Sequence, residues 1–544
     1  MTTTKVVILG GGVSGMSAAH ELAERGIAVE VYEGQTIPGG KARSIPVTGS
    51  GTGGRSDLPG EHGFRFFPGF YKHLPDTMKR IPFGDQPDGV FGNIVQGTEF
   101  QVARLGRTDP ILPARFPHSF QEVKRDFLEI MNGDLGIPAK EALFFFDRLL
   151  QYATTCEKRR VAEYEHIVWW DYIKASQMSE TYQAYLARGL TRSLVAARAE
   201  VASTRTIGAV LLQLWFNMTT PGQTLDRVLN GPTNDVWIEP WLTHLRSLGV
   251  VYHQGCKVVA IDCVDGRIAK VTIEKADGTR FDAAGDYFIS ALPVDRLVPL
   301  VTPAMVAADA RLSRLGNLKT EWMNGIQLYL RRDVPLVNGH TIYTDSPWAL
   351  TSISQRQFWR DPLTRYGDGS LGGILSIDIS DWNQPGVVYG KPAKELTSKD
   401  EILAEVLAQV RTALPEADLG DDNIITYFLD PDITLPNGGA TAANLEPLLI
   451  NTAGSLADRP DVVTQIPNLL LIGDYVRTNT DIATMEAANE AARRATNAIL
   501  ASIGSSSSFC EIWELDEPDI FVPMKALDEI RFELGLPYGV LSLP

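Results

Sequence analysis

The first apolar run follows Lys5: Val6, Val7, Ile8 and Leu9 read as a short buried strand, Lys5–Leu9. The glycine-rich turn Gly10-Gly11-Gly12-Val13-Ser14-Gly15 comes next, and the pattern becomes helical from Met16 to Arg25, stopping near Gly26. A second apolar strand, Ala28 to Tyr32, ends in Glu33. Far along the chain, Asn468 to Ile472 repeats the buried-strand pattern and ends in Gly473-Asp474. A short polar segment and the alanine-rich stretch Ala483–Leu500, a strong helix former, come after it. Gly249 to Ile261 reads as strand, turn and strand, with further hairpin turns at Gly266 and Asp277-Gly278 and a strand at Tyr287–Ser290 leading into Ala291-Leu292-Pro293. Between these segments, Leu143–Leu150, Ile167–Ile173 and Ile207–Phe216 are apolar stripes in a mostly helical region, and Met323–Leu330 is a strand in a mixed one. Gly49 to Gly60 reads as a mobile loop and Gly504 to Ser508 as a linker, followed by an amphipathic tail that packs back on the body.

The order strand, glycine turn, helix, strand, acid predicts a dinucleotide-binding α/β fold. Gly10 serves the tight turn, Gly12 lets backbone approach a pyrophosphate, and Gly15 lets helix and strand pack closely. Val13 and Ser14, within the turn, belong to the cofactor-binding loop, and the helix start that follows offers free N–H groups to the phosphates. Glu33 stands 33 − 15 = 18 residues past the last glycine, where a carboxylate accepts bonds from both ribose hydroxyls of a dinucleotide without a 2′-phosphate.

Beyond Glu33, Gly39-Gly40-Lys41-Ala42-Arg43 resembles the second glycine pair and basic residue of FAD-dependent amine oxidases and carotenoid desaturases. There, Lys41 or Arg43 offsets pyrophosphate charge. Gly473-Asp474-Tyr475 with Thr484-Met485-Glu486-Ala487-Ala488 resembles the closing FAD motif of phytoene and ζ-carotene desaturases, departing at Val476, Thr484, Ala488 and Asn489. The resemblance implies that Asp474 binds ribityl hydroxyls, with Gly473 allowing close approach. The helix start at Thr484 and Met485 would then face the flavin, its positive dipole end stabilising the reduced ring. The strand ending in Ala291-Leu292-Pro293 is similar to one that re-enters the FAD domain in this superfamily, with Val258 or Val259 clasping the adenine; Val258 is preferred. Gly60-Glu61-His62-Gly63-Phe64-Arg65 is similar to a plant-type carotene desaturase run that passes the flavin. Phe64 is thereby placed at the cofactor, Arg65 against its negative charge, and Glu61 or His62 near the ring or in proton movement.

The implied fold class is α/β: a discontinuous Rossmann-type FAD-binding domain (1–64, 245–300 and 460–503) with an inserted mixed α+β substrate domain (65–244 and 301–459) and a linker and tail (504–544). The implied activity of this phytoene-desaturase-like branch of the flavin amine oxidase superfamily is FAD-dependent dehydrogenation of an apolar isoprenoid-like or lipid-like substrate, with oxygen or a quinone as electron acceptor. A hydroxysqualene-type dehydroxylase is a variant on the same flavin. Two other readings stay open: an amine oxidase releasing peroxide, in which Lys319 would stand near the flavin, and a non-catalytic FAD-binding protein.

Charge and composition narrow the partners. Fifty Lys plus Arg against 66 Asp plus Glu give −16, which opposes binding to nucleic acid or to anionic headgroups, so any membrane contact is peripheral, apolar and local. With 44% apolar and 21% charged residues, the chain has enough apolar content for a folded core. The longest uncharged stretch, Thr206–Leu225, is broken by Pro221-Gly222 and too short in its apolar part to span a bilayer. Four scattered cysteines and no basic, apolar leader suggest a reducing, cytoplasmic setting. No metal is expected, because His20-Glu21-Leu22-Ala23-Glu24 lacks the second histidine of a helical zinc site, and no Gly-x-Ser-x-Gly elbow is present.

Overall fold

The first strand, β1 (Lys5–Leu9), is flanked by β2 (Ala28–Tyr32) and by β4 (Tyr287–Ser290), both parallel to it. Outer strands β3 (Val251–His253) and β5 (Leu469–Leu471) complete a five-stranded parallel sheet of order β5-β4-β1-β2-β3. The computed structural model describes residues 4–63, 65–106, 109–113, 136–193, 197–219, 226–437 and 440–540. Val6, Val7, Ile8 and Leu9 are wholly buried because both faces of a parallel sheet are covered, which is why this strand reads as a continuous apolar run.

Helix α1 (Val13–Ala23) begins three residues earlier than its periodicity predicts, so Gly15 lies in its first turn. It packs on α3 (Met485–Ser502), whose buried Ala487, Ala491, Ala492 and Ala495 permit a close approach. Across this seam Ser14 Oγ donates to the Ala488 carbonyl (3.3 Å) and Asn489 Nδ2 to Ser17 Oγ (2.8 Å). Between them in the chain, α2 (His73–Lys79) packs against α3.

A second, seven-stranded mixed sheet runs in the order 424–429, 324–330, 373–379, 350–354, 341–343, 99–103, 111–113. Asn324–Leu330 lies at its interior, buried along its whole length. Helix Lys399–Ala413, started by a reciprocal Ser398–Glu401 capping box, covers this sheet with Ile402, Val406 and Val410. The stripes at Leu143–Leu150 and Ile207–Phe216 fall in helices Ala139–Ala153 and Thr204–Thr219, whereas Ile167–Ile173 contributes a single turn, Trp169–Tyr172.

The Gly49–Gly60 segment is not a free loop. Ser44–Val47 and Leu58–Glu61 form an antiparallel hairpin. Its tip is fixed by the Asp57 carboxylate on the Gly51 N–H (2.7 Å) and by Thr52 N–H on the Gly367 carbonyl (2.9 Å). The tail is tied by Cys510 N–H to Asn497 Oδ1 (2.6 Å), Trp513 N–H to His73 Nε2 (3.0 Å) and Asp528 to Arg159 (3.1 Å). Among the described residues, no helix is long and apolar enough to cross a membrane.

Candidate cofactor and active site

At the carboxyl end of β1 the chain turns through Gly10, at φ +102°, into α1. A Cβ on Gly15 would lie 2.0 Å from the Gly10 carbonyl oxygen, so the turn and the helix touch backbone to backbone. Gly12 caps α1 without any side-chain hydrogen bond, which leaves the first-turn N–H groups, those of Val13 and Ser14 included, without an intrahelical acceptor. The second glycine pair meets this turn: Gly12 and Gly39 form a parallel bridge, and a Cβ on Gly40 (φ +56°) would stand 2.9 Å from the Gly12 Cα.

Glu33 is buried beside it, with Oε2 accepting the Gly11 N–H and Oε1 the Gln35 N–H, both at 2.7 Å. Burial pushes its carboxyl above the ordinary value despite those donors. Two of about four acceptor positions are used, and two remain for a vicinal diol. Tyr252, which motif reading does not reveal, donates from its hydroxyl to the Gly11 carbonyl (2.7 Å). Val258 is buried in strand Cys256–Val264, which begins on a bond from the Cys256 N–H to the Glu33 carbonyl (2.7 Å); the ladder skips Val259.

Thr484 caps α3, its Oγ1 accepting the Ala487 N–H (3.2 Å), and Met485 is the first helical residue. The Ser14–Ala488 bond sets this helix start next to that of α1. Glu486 faces the other way. Its carboxylate accepts the N–H groups of Lys72 and His73 (both 2.7 Å) and of Leu74 (2.9 Å), together with His73 Nδ1–H (2.8 Å). Gly473 has φ +141°. Half-buried Asp474, one residue on, receives no side-chain hydrogen bond among the described residues.

The segment after Leu58–Glu61 carries the remaining candidates, except Phe64, which lies outside the described residues. Glu61 accepts Ser44 Oγ–H (2.7 Å) and the Thr233 N–H and hydroxyl (both 2.9 Å), and burial raises its carboxyl, so it acts as a structural staple. Arg65 is largely buried, donating to the Lys41 carbonyl (3.0 Å) and standing 3.9 Å from Glu61, while its Nε has no partner. Burial pulls its guanidinium below the ordinary value. His62 holds Asp430 through Nδ1 (2.5 Å), with Asn324 Nδ2 3.3 Å from its ring nitrogens. Arg43 is not open to the crevice: Glu446 takes it through both oxygens (2.9 Å each), and Asp432 takes its other nitrogen. Lys41 Nζ donates to the Pro447 carbonyl. The structure does not bring Lys319 into this group. It sits exposed in a two-stranded ladder opposite Ile450.

Burial acts to raise the Asp430 carboxyl, but the bond from His62 and the charges of His62 and Arg43 outweigh it and hold that carboxyl low. A folded value depressed in this way gives stability that is complete above the unfolded value of about 3.9 and is lost as pH falls through the folded one. The wild-type melting temperature therefore falls more steeply below pH 4 or so than that of Asp430→Asn, and parallel curves would show the pair to be without pH-linked effect.

These residues fit FAD. An uncapped helix end answers a pyrophosphate, two glycine turns leave no Cβ in its way, Glu33 keeps two acceptor positions, and the orphaned Arg65 Nε and unbonded Asp474 are polar groups awaiting partners. The pattern of the flavin containing amine oxidoreductase family matches residues 13–500, and the chain belongs to that family. It is an FAD-dependent oxidoreductase. Its sequence is similar to the carotenoid phi-ring synthase of Chlorobaculum tepidum, 22% identical across 92% of this chain and 89% of that protein. The 15-cis-phytoene desaturase of Synechococcus elongatus is 23% identical across 91% of this chain and 96% of its own. An oxidoreductase crystal structure from Methanosarcina mazei shares the fold, with a TM-score of 0.60 at 17% identity over 90% of this chain and 99% of that one.

One cluster that sequence spacing misses is His20, Glu24 and His244, whose ligand atoms lie within 4.8 Å of one another. Trp241 Nε1–H donates to His20 Nδ1 (3.1 Å), which places the imidazole proton on Nε2, bonded to Glu24 (3.0 Å). Both His20 nitrogens are thus engaged by Trp241 and Glu24, whereas among the described residues His244 Nε2 has no hydrogen-bond partner, and Glu24 is exposed.

Proposed function

We propose that the protein dehydrogenates an apolar, isoprenoid-like substrate, forming a carbon–carbon double bond, with a quinone or oxygen as final electron acceptor. The observation that carries this reading is the match, along some nine-tenths of both chains, to two enzymes named for carotenoid chemistry. When bound, FAD supplies a two-electron acceptor for a hydride leaving a substrate carbon. In this reading residues 1–64, 245–300 and 460–503 form the cofactor unit, and 65–244 with 301–459 form the substrate unit. The α1 start binds the pyrophosphate, Glu33 the adenosine ribose and Asp474 the ribityl chain. The uncapped donors at Met485, at the positive end of α3, hold negative charge on the ring. His62, anchored through Nδ1 on Asp430, is the residue of this segment that this reading assigns to proton movement near the ring. Arg65, lacking a partner at Nε, supplies positive charge beside the Gly39-Gly40-Lys41 turn.

The test is anaerobic: purified holoprotein is mixed with a panel of carotenoid precursors and a panel of amines, and bleaching of the flavin absorption is followed. Bleaching by a polyene precursor, with a product two hydrogens lighter, supports the reading. Bleaching by amines alone, with peroxide on admitting air, replaces it with amine oxidation.

A further inference from the structure

Arg43 follows the second glycine pair, where a basic residue is expected to meet phosphate, yet both of its terminal nitrogens are held by carboxylates and it is 4% exposed. Those carboxylates, Asp432 and Glu446, stand at the two feet of one small hairpin. Its ladder pairs Ile433 with Asn444 and Thr434 with Ala443, and Leu445 N–H bonds the Asp432 carbonyl (3.0 Å). The second foot, Asn444 to Pro447, is bonded from two directions. From the turns after β2 come Gln35 Nε2 to Glu446 (3.4 Å), Lys41 Nζ to the Pro447 carbonyl, and Arg43. From the short helix after β4, Val294–Leu297, comes Arg296, which donates to the Leu445 carbonyl.

Because β2 and β4 are the two neighbours of β1, a segment bonded to the chain beyond both of them ties together the two sides of the glycine turn that follows β1. A further series of bonds ties the same foot to the substrate-side sheet. Glu446 N–H donates to Asn444 Oδ1 (2.9 Å) and Asn444 Nδ2 to Asn324 Oδ1 (2.6 Å); Asn324 contacts His62, which holds Asp430, and Asp430 Oδ1 accepts the Asp432 N–H (2.8 Å). The series returns to Arg43 through Asp432, so the bonds close into a partly buried ring.

We propose that Asn444–Pro447 is a strap across the dinucleotide crevice, that Arg43 with Asp432 and Glu446 is its latch, and that the latch sets how slowly the flavin leaves. Arg43 is thus a positioning residue that acts through the strap, not a ligand of the phosphates. Arg43 is common to both arms, so its removal frees both carboxylates at once, and loss of Glu446 leaves the guanidinium with Asp432 alone and the second foot of the hairpin untied from it. The proposal rests on FAD binding, not on the identity of the substrate, and release of the cofactor is read without any substrate present.

The experiment follows the appearance of free-flavin fluorescence after diluting holoprotein, for wild type, Arg43→Met, Glu446→Gln, Arg296→Gln and the Arg43→Met/Glu446→Gln double variant. Arg43→Met and Glu446→Gln each speed release about tenfold or more, and the double variant is no faster than the faster single. Arg296→Gln removes only the outer tie, from a half-exposed side chain, and speeds release a few-fold, about 3 to 5 times. If Arg43→Met does not fold, Glu446→Gln and Arg296→Gln read the same strap, and wild-type release in both overturns the proposal. It is also overturned if Arg43→Met alone is fast, or if the double variant's acceleration is the product of the two singles, since Arg43 would then act directly on the cofactor.

Discussion

Gly15→Ala yields a protein that does not retain FAD and that melts far below wild type. The added Cβ would sit 2.0 Å from the Gly10 carbonyl oxygen and 3.0 Å from its carbon, and neither atom belongs to a side chain that can swing away. Relief requires α1 to lift off the turn, which moves the uncapped N–H groups from the line of β1 and loosens the Ser14 and Ser17 bonds to α3. The expected cost is about 3 kcal/mol or more, with FAD affinity lowered by at least roughly 100-fold. Gly278→Ala is the control: φ there is +80°, but nothing lies within 4 Å, so only the backbone strain of about 1 kcal/mol is felt. Thermal melting and the ratio of flavin to protein absorbance after gel filtration check both; full flavin retention in Gly15→Ala would mean that helix and turn are not packed in this way.

Glu486→Ala comes second. It leaves the N–H groups of Lys72, His73 and Leu74 and the Nδ1–H of His73 without their acceptor, in a site where Glu486 is 1% exposed. At about 1 to 3 kcal/mol for each buried donor left unpaired, partly relieved by water, a loss near 4 kcal/mol is expected. Glu486→Gln loses about half of that, because a single amide oxygen at Oε1 keeps the three donors that converge there. The same carboxylate joins the first turn of α3 to the start of α2, so the visible flavin spectrum should shift in Glu486→Gln at a temperature where the chain is fully folded. Unchanged melting in Glu486→Ala would dismiss this account.

The glycine turn, Glu33 and the Gly473-Asp474 strand end were legible because each is a local arrangement: a turn, a strand terminus, a helix start. The strap and its latch were not. Arg43 meets Asp432 and Glu446 389 and 403 residues away, and nothing within a local window distinguishes a basic residue aimed at phosphate from one aimed at carboxylates. The Gly49–Gly60 stretch misleads for the same reason: its composition signals freedom, while the Gly367 and Arg365 carbonyls that order it lie 367 − 52 = 315 and 365 − 56 = 309 residues from their donors. His20 stood out only as part of an incomplete zinc-site spacing, because Trp241, which helps fix its tautomer, is 221 residues away. Outside the parallel sheet, the apolar run Met323–Leu330 announced its strand, Asn324–Leu330, but the other six strands it is joined with are short or far away along the chain, so the seven-stranded sheet was not legible.

The strand order of the parallel sheet has a consequence for biosynthesis. One neighbour of β1 is made almost at once, but the other arrives only with residue 287, and the strand beyond that only with residue 469. A ribosome emitting this chain from its amino terminus therefore exposes half of a nucleotide cradle long before the other half exists. Cofactor capture belongs to the finished polypeptide, and until then the uncovered edge of β1 needs shielding from neighbouring nascent chains.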